Sequence, residues 1–232
     1  MKMRCALCSL VCAGLLASVT FAQPPGGGRG MGMGGGNMIG LAKAKDVAAD
    51  IKLNDDQVKK LDELQKKMTA KMTSAREDNQ GDREAMMAAM QEIGKETEKG
   101  LAEVLNADQM KRLKQLSLQS TLKNGGLLAA LGNPDVSKAL TLNEEQQEQL
   151  KGFREDMQNT MREMFQSGGG GGDQAEMRKK MQEYRTSLDK KVSKLLTDDQ
   201  NKKLKDLQGE EFKGQFPQPQ MGGGRNKKGG NG

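Results

Sequence analysis

The chain has 232 residues, of which 34% are hydrophobic, 29% charged and 3% aromatic, with no Trp and no His. A core short of aromatic and β-branched side chains does not suit a β-sandwich; Leu, Val, Ala and Met among many charges point to amphipathic helices. The formal charge of +6 overstates the basicity of the body: Lys2, Arg4, Arg29, Lys213, Arg225, Lys227 and Lys228 lie in the flanks, whereas all 31 acids fall between residues 41 and 212. The near-neutral body excludes a clustered basic face for nucleic acid, and any contact of the basic tails with a membrane is expected to be minor.

The first stretch, "MKMRCALCSLVCAGLLASVTFAQPP", has a basic start, an apolar run over residues 5–21 and a small-residue cleavage site at Thr20-Phe21-Ala22. It predicts a cleaved export signal over residues 1–22 and a periplasmic or secreted protein starting at Gln23; no basic stop-transfer flank follows. Cys5, Cys8 and Cys12 all lie inside it, so the exported chain carries no thiol chemistry. Residues 23–36 read as a disordered Gly-rich linker, as do residues 213–232, a basic tail rich in Gly, Pro and Gln. "GGGRGMGMGGG" lacks the Lys-Ser/Thr of a phosphate loop and precedes no strand, and Met31, Met33 and Met38 read as part of a spacer, not a copper site.

Between the flanks the chain repeats itself. At an offset of 89, Val47 falls on Val136, Leu53 on Leu142, Leu61 on Leu150, Met68 on Met157 and Met72 on Met161. At an offset of 91, Met86 falls on Met177, Met90 on Met181, Ile93 on Tyr184, Val104 on Leu195 and Leu113 on Leu204. The length difference sits where one copy has "SAREDNQGD" and the other "SGGGGGD", as a surface tip tolerates. Duplication explains the pattern and divides the body into repeats over residues 37–125 and 126–212.

Each repeat reads as helices in chain order. Val58, Leu61, Leu64, Met68 and Met72 step by three or four along one face, followed by Met86, Met90, Ile93, Leu101 and Val104, then by Met110, Leu113 and Leu116. The second copy repeats this with Leu150, Phe153, Met157, Met161 and Phe165, then Met177, Met181, Tyr184, Leu188, Val192 and Leu195, then Leu204 and Leu207. No stretch alternates at period two. The expected fold is all-α: a tandem duplication of an αα-hairpin about 35 Å long, with coiled-coil-like pairing, short flanking helices and disordered termini.

One pentapeptide marks four helix starts: "LNDDQ" (Leu53, Asn54, Gln57), "LNADQ" (Leu105, Asn106, Gln109), "LNEEQ" (Leu142, Asn143, Gln146) and "LTDDQ" (Leu196, Thr197, Gln200). Leu stands at N′, Asn or Thr at the N-cap, acids in the first turn and Gln at N3, which is a capping box favoured by the helix dipole. Val58 and Met110 stand where a hydrophobic staple onto Leu53 and Leu105 needs them; Gln147 and Asn201 cannot staple. Capping alone leaves the spacing unexplained: 52 residues within the first pair and 54 within the second.

The pentapeptide resembles the LTxxQ motif of the Spy/CpxP family of small helical periplasmic proteins, where it occurs twice per chain a hairpin apart. The resemblance covers residues 37–210, with Asn for Thr in three of the four copies. It implies an ATP-independent envelope-stress chaperone that holds unfolded envelope proteins on a helical surface, or an adaptor binding a stress-sensor domain. Family members form cradle-shaped homodimers, and two fused copies leave open whether this chain dimerises. Relatives that bind metal use His and Cys, so no metal or other cofactor is expected here.

Met supplies an independent clue. Eleven of 17 lie in the helical body, where thioethers fill a seam or form a surface that repacks around partners. Most sit on the seam stripes; Met87 and Met164 lie off them and are the candidates for partner contact. A lipid-surface binder is the remaining alternative. With no His, no Cys in the exported body and one Tyr on an apolar stripe, the sequence predicts no enzyme.

Overall fold

The computed structural model describes residues 34–167 and 174–217. The export signal, most of the Gly-rich stretch after it, the tip at 168–173, residues 218–232 and the side chains of Phe165 and Met177 lie outside the described residues. Among those described, every element is a helix: α1 (Gly34–Ala42), α2 (Lys45–Asp50), α3 (Asp55–Asp78), α4 (Arg83–Val104), α5 (Ala107–Leu131), α6 (Pro134–Ala139), α7 (Glu144–Ser167), α8 (Gln174–Ser193) and α9 (Asp198–Gln208). None is long and apolar enough to cross a membrane.

Helices α3 and α4 form the first hairpin, and α7 and α8 the second. Short α2 and α6 lead in, and α5 and α9 follow. The start of α4 is capped by Asp82, which accepts the Ala85 N–H at 2.9 Å; α6 begins with Asn133 as cap and Pro134 preset for the first turn. At the end of α2, Lys52 takes φ 53°, and the N–H groups of Leu53 and Lys52 return to the carbonyls of Ala48 and Ala49 at 2.9 and 3.2 Å. This is a Schellman ending. Its counterpart closes α6, with Thr141 at φ 49° and Leu142 and Thr141 bonded to Ser137 and Lys138.

Two cores result. The first gathers Ile39, Leu41, Val47, Ile51, Leu61, Met68, Ile93, Leu101, Leu105, Leu113 and Leu116. The second gathers Leu118, Leu128, Leu131, Val136, Leu140, Leu142, Leu150, Leu188, Val192, Leu196 and Leu204. Helix α5 serves both: its first half is the third helix of repeat one, and Leu128 and Leu131 stand where Ile39 and Ala42 stand in α1. The transition is a kink at Gly126, φ 78° and ψ −178°. A Cβ there would lie 2.7 Å from Asp189 Oδ1, the same carboxylate oxygen that accepts the Leu127 N–H at 2.8 Å and restarts the helix. Lys114 binds Glu98 of α4 and approaches Asp135 of α6 at 3.8 Å, a bridge from α5 to both repeats.

Two boundaries differ from the sequence reading. Helix α1 starts at Gly34, inside the stretch expected to be linker. Residues 213–217, expected to be disordered tail, pack: Phe216 lies against the first core together with Phe212. Composition hid this, because two rings in a Gly- and Gln-rich stretch suffice to anchor it.

Candidate functional site

All four pentapeptides form complete capping boxes. Asn54 Oδ1 accepts the Gln57 N–H at 2.8 Å and Gln57 Oε1 accepts the Asn54 N–H at 3.2 Å. The corresponding pairs are 2.9 and 3.0 Å at Asn106/Gln109, 2.8 and 3.1 Å at Asn143/Gln146, and 3.2 and 3.0 Å at Thr197/Gln200. The motif leucines face inward: Leu105, Leu142 and Leu196 are buried and Leu53 packs against the first core.

The structure adds what four separate caps do not predict. Gln57 and Gln109 face each other and exchange two amide bonds, Gln57 Nε2 to Gln109 Oε1 at 2.7 Å and Gln109 Nε2 to Gln57 Oε1 at 3.1 Å. Gln57 Nε2 also donates to Val104 O at 2.9 Å, and Gln109 Nε2 to Ile51 O at 3.1 Å. Each oxygen thus accepts twice, from its own cap and from the partner; each nitrogen donates twice or more. Both amides are saturated, which is what burial at Gln109 demands.

Gln109 Nε2 also reaches Lys52 O at 3.2 Å; the second repeat copies the other four bonds. Gln146 Nε2 reaches Gln200 Oε1 at 2.7 Å and Leu195 O at 2.6 Å; Gln200 Nε2 reaches Gln146 Oε1 at 3.0 Å and Leu140 O at 3.3 Å. Leu195 and Leu140 are the counterparts of Val104 and Ile51. The separations of 52 and 54 residues are therefore the lengths of chain that leave one cap, round the hairpin and return to face it. Glutamine is required because its amide donates and accepts at once; glutamate would only accept.

Where Gln147 and Asn201 replace an apolar staple, the chain substitutes a hydrogen bond. Gln147 Nε2 donates to Leu142 O at 2.8 Å and Asn201 Nδ2 to Leu196 O at 3.4 Å. The sequence signal was present, an amide at N4 in both, but reads as a missing staple until the carbonyl is seen.

The methionines divide by position. Met68 is buried in the first core, and Met72, Met90, Met110 and Met157 pack against the cores. Met86, Met161 and Met181 are half-buried beyond the core residues, toward the tips. Of the two off-stripe candidates, Met87 is exposed at 57%, whereas Met164 is half-buried. Of the two candidates for partner contact, Met87 therefore stands on the surface and Met164 is only partly accessible.

Two ion pairs tie neighbouring helices together. Lys71 of α3 bonds both carboxylate oxygens of Glu96 on α4 and holds that carboxyl below its ordinary range. Asp50 grips Arg112 through two bonds, 2.7 and 3.1 Å, and raises its already high pKa further. A groove of about 870 Å³ runs between α6 and α7, with Leu142 and Leu150 at its floor and Lys138, Lys151, Arg154, Glu144 and Glu148 around it. No protein-family model, curated protein or solved structure matches this chain.

Proposed function

We propose that this chain is a non-enzymatic, Spy/CpxP-like holding protein of the cell envelope, which keeps unfolded proteins from aggregating without ATP. What supports the reading is the paired glutamine base of each hairpin. It holds the base of each hairpin together, so the outer halves need not be packed to saturation to keep the helices in place. Met86, Met161, Met164 and Met181 are half-buried there and Met87 is exposed, and flexible thioethers fit varied apolar partners. The motif resemblance points the same way.

The test is light scattering from a thermally aggregating client mixed with the chain from residue 23 onward, in ATP-free buffer. Suppression at a several-fold molar excess is the expected result. No suppression sinks the holding function and leaves a dedicated envelope partner, such as a stress-sensor domain. Met87→Glu should weaken suppression with the helical circular dichroism unchanged.

A further inference from the structure

After α9 the chain runs back to the first repeat as a strap over residues 209–217. Gly209 turns it there at φ 61°; a Cβ at this position would fall 2.3 Å from Gln115 Cδ. Gln119 Nε2 donates to the carbonyls of Gln208 and Glu210, both at 2.7 Å, and Arg112 Nη1 donates to Glu210 O at 2.7 Å. In return the Phe212 N–H donates to Gln119 Oε1 at 2.9 Å and the Gln215 N–H to Asp46 Oδ2 at 2.7 Å. The Phe212 and Phe216 rings lie 4.6 Å apart, centroid to centroid, against the first core, with Lys123 Nζ 5.9 Å from the Phe216 ring. Gly214 lets the strap fold tightly, since a Cβ would lie 2.6 Å from the Phe212 ring and 2.7 Å from Asp46 Cβ.

Two properties of this contact stand out chemically. Every one of those hydrogen bonds from the receiving face goes to a main-chain group, of Gln208 at the end of α9 or of the strap itself, so none of them reads sequence. Side-chain recognition falls to the two rings, and they are two of only five Phe in the whole chain. Main-chain bonds for affinity with side-chain contacts for selectivity are a general division of labour in peptide recognition.

We infer that the face formed by Asp46, Arg112, Gln115, Gln119 and Lys123 is a binding site for a tightly turned peptide segment with two aromatic residues four positions apart and a glycine between them. The strap occupies that site in cis. The inference deepens the holding function by naming the class of client segment and its built-in competitor, and it rests on that reading only for the origin of the occupant. A segment in trans gains access in proportion to the fraction of molecules whose strap is released.

The test uses the chain from residue 23 onward and a fluorescent peptide, QGEEFKGQFPQ, corresponding to residues 208–218. By anisotropy the peptide should bind the Phe212→Ala/Phe216→Ala variant about tenfold or more tightly than it binds the parent chain. A peptide with both Phe replaced by Ala should not bind, and adding Asp46→Ala to the variant should weaken binding. Equal affinity for parent and variant, or no binding to a variant with intact circular dichroism, overturns the inference. If the variant loses its helical signal, hydrogen exchange on the parent decides: saturating peptide should speed exchange at the Phe212 and Gln215 amides, and unchanged exchange overturns it. Peptide capture without suppression of client aggregation would keep this site and remove the holding function. Suppression without capture would do the reverse.

Discussion

The two hairpins share one plan and differ in how far out they are packed. In the first, Met68 and Ile93 are 3% and 7% exposed; their counterparts Met157 and Tyr184 are only half-buried. Among the described residues of the second, apolar burial lies at its base, at Leu150, Leu188 and Val192. Gly100 supplies a reason. It lets α3 approach so closely that a Cβ would lie 2.5 Å from Leu64 Cδ1. The matching positions in the second hairpin are Lys191 and Phe153, two larger side chains that favour a wider gap. Duplication preserved the saturated glutamine base and released the outer halves to diverge. A hairpin whose base is held by its own polar network tolerates that, because the network does not depend on the packing beyond it.

The largest expected effect follows from the packing difference. Met68→Ala removes a buried side chain and should cost about 2–4 kcal/mol, whereas Met157→Ala, half in solvent, should cost about 1. Urea unfolding of the two variants decides it. Equal costs would mean that the second hairpin is packed as tightly as the first.

Next in size is the glutamine pair, where the repeats should behave alike. Gln109→Ala breaks a cap and leaves the Gln57 amide short of a partner, for about 2–3 kcal/mol; Gln200→Ala should cost a similar amount. Gln109→Glu probes the donor directly. Its carboxylate would face the carbonyls of Ile51 and Lys52, which raises its pKa in the folded state above the usual glutamate value of about 4.3. A raised folded pKa means the variant fares best below about pH 4, where the acid is neutral, and loses stability as pH rises through the folded value. Urea midpoints at pH 4 and pH 7 should therefore diverge from the parent's at the higher pH. A constant gap would refute the donor role.

A smaller effect tests the cause assigned to the asymmetry. Gly100→Lys gives the first hairpin the second's residue and should cost about 1–2 kcal/mol through displacement of Leu64, net of better helix propensity. Adding Leu64→Ala should recover part of that loss, a non-additivity seen in a double-mutant cycle. Strict additivity would show that Gly100 does not set the approach.

Much of this was legible in the sequence, for local reasons. Helical periodicity, the polar residue before each helix and the matched offsets are short-range signals, and they carry the all-α class, the cap residues and the duplication. The pairing of Gln57 with Gln109 was not legible, because a capping box is complete within four residues and gives no hint that its amide has bonds to spare. The spacing of 52 was the visible trace. The Gly125-Gly126 pair reads as a break, yet Asp189, distant in sequence, carries α5 across it. The strap was hidden by composition, and Phe212 and Phe216 were the signal to follow.

The smallest prediction concerns a feature both repeats keep. Lys52 and Thr141 occupy matching left-handed positions, φ 53° and 49°, where a side chain costs about 1–2 kcal/mol and a β-branched one is a true outlier. Glycine would relieve that strain but loosen the unfolded chain, leaving a net gain of about 0.5–1 kcal/mol. Thr141→Gly should stabilise more than Lys52→Gly, since Cβ branching adds crowding that lysine lacks. Thermal melts of the two variants measure the order. If Thr141→Gly destabilises instead, its side chain must contribute to the α6–α7 groove that it lines, and the two turns would differ in role despite sharing one geometry.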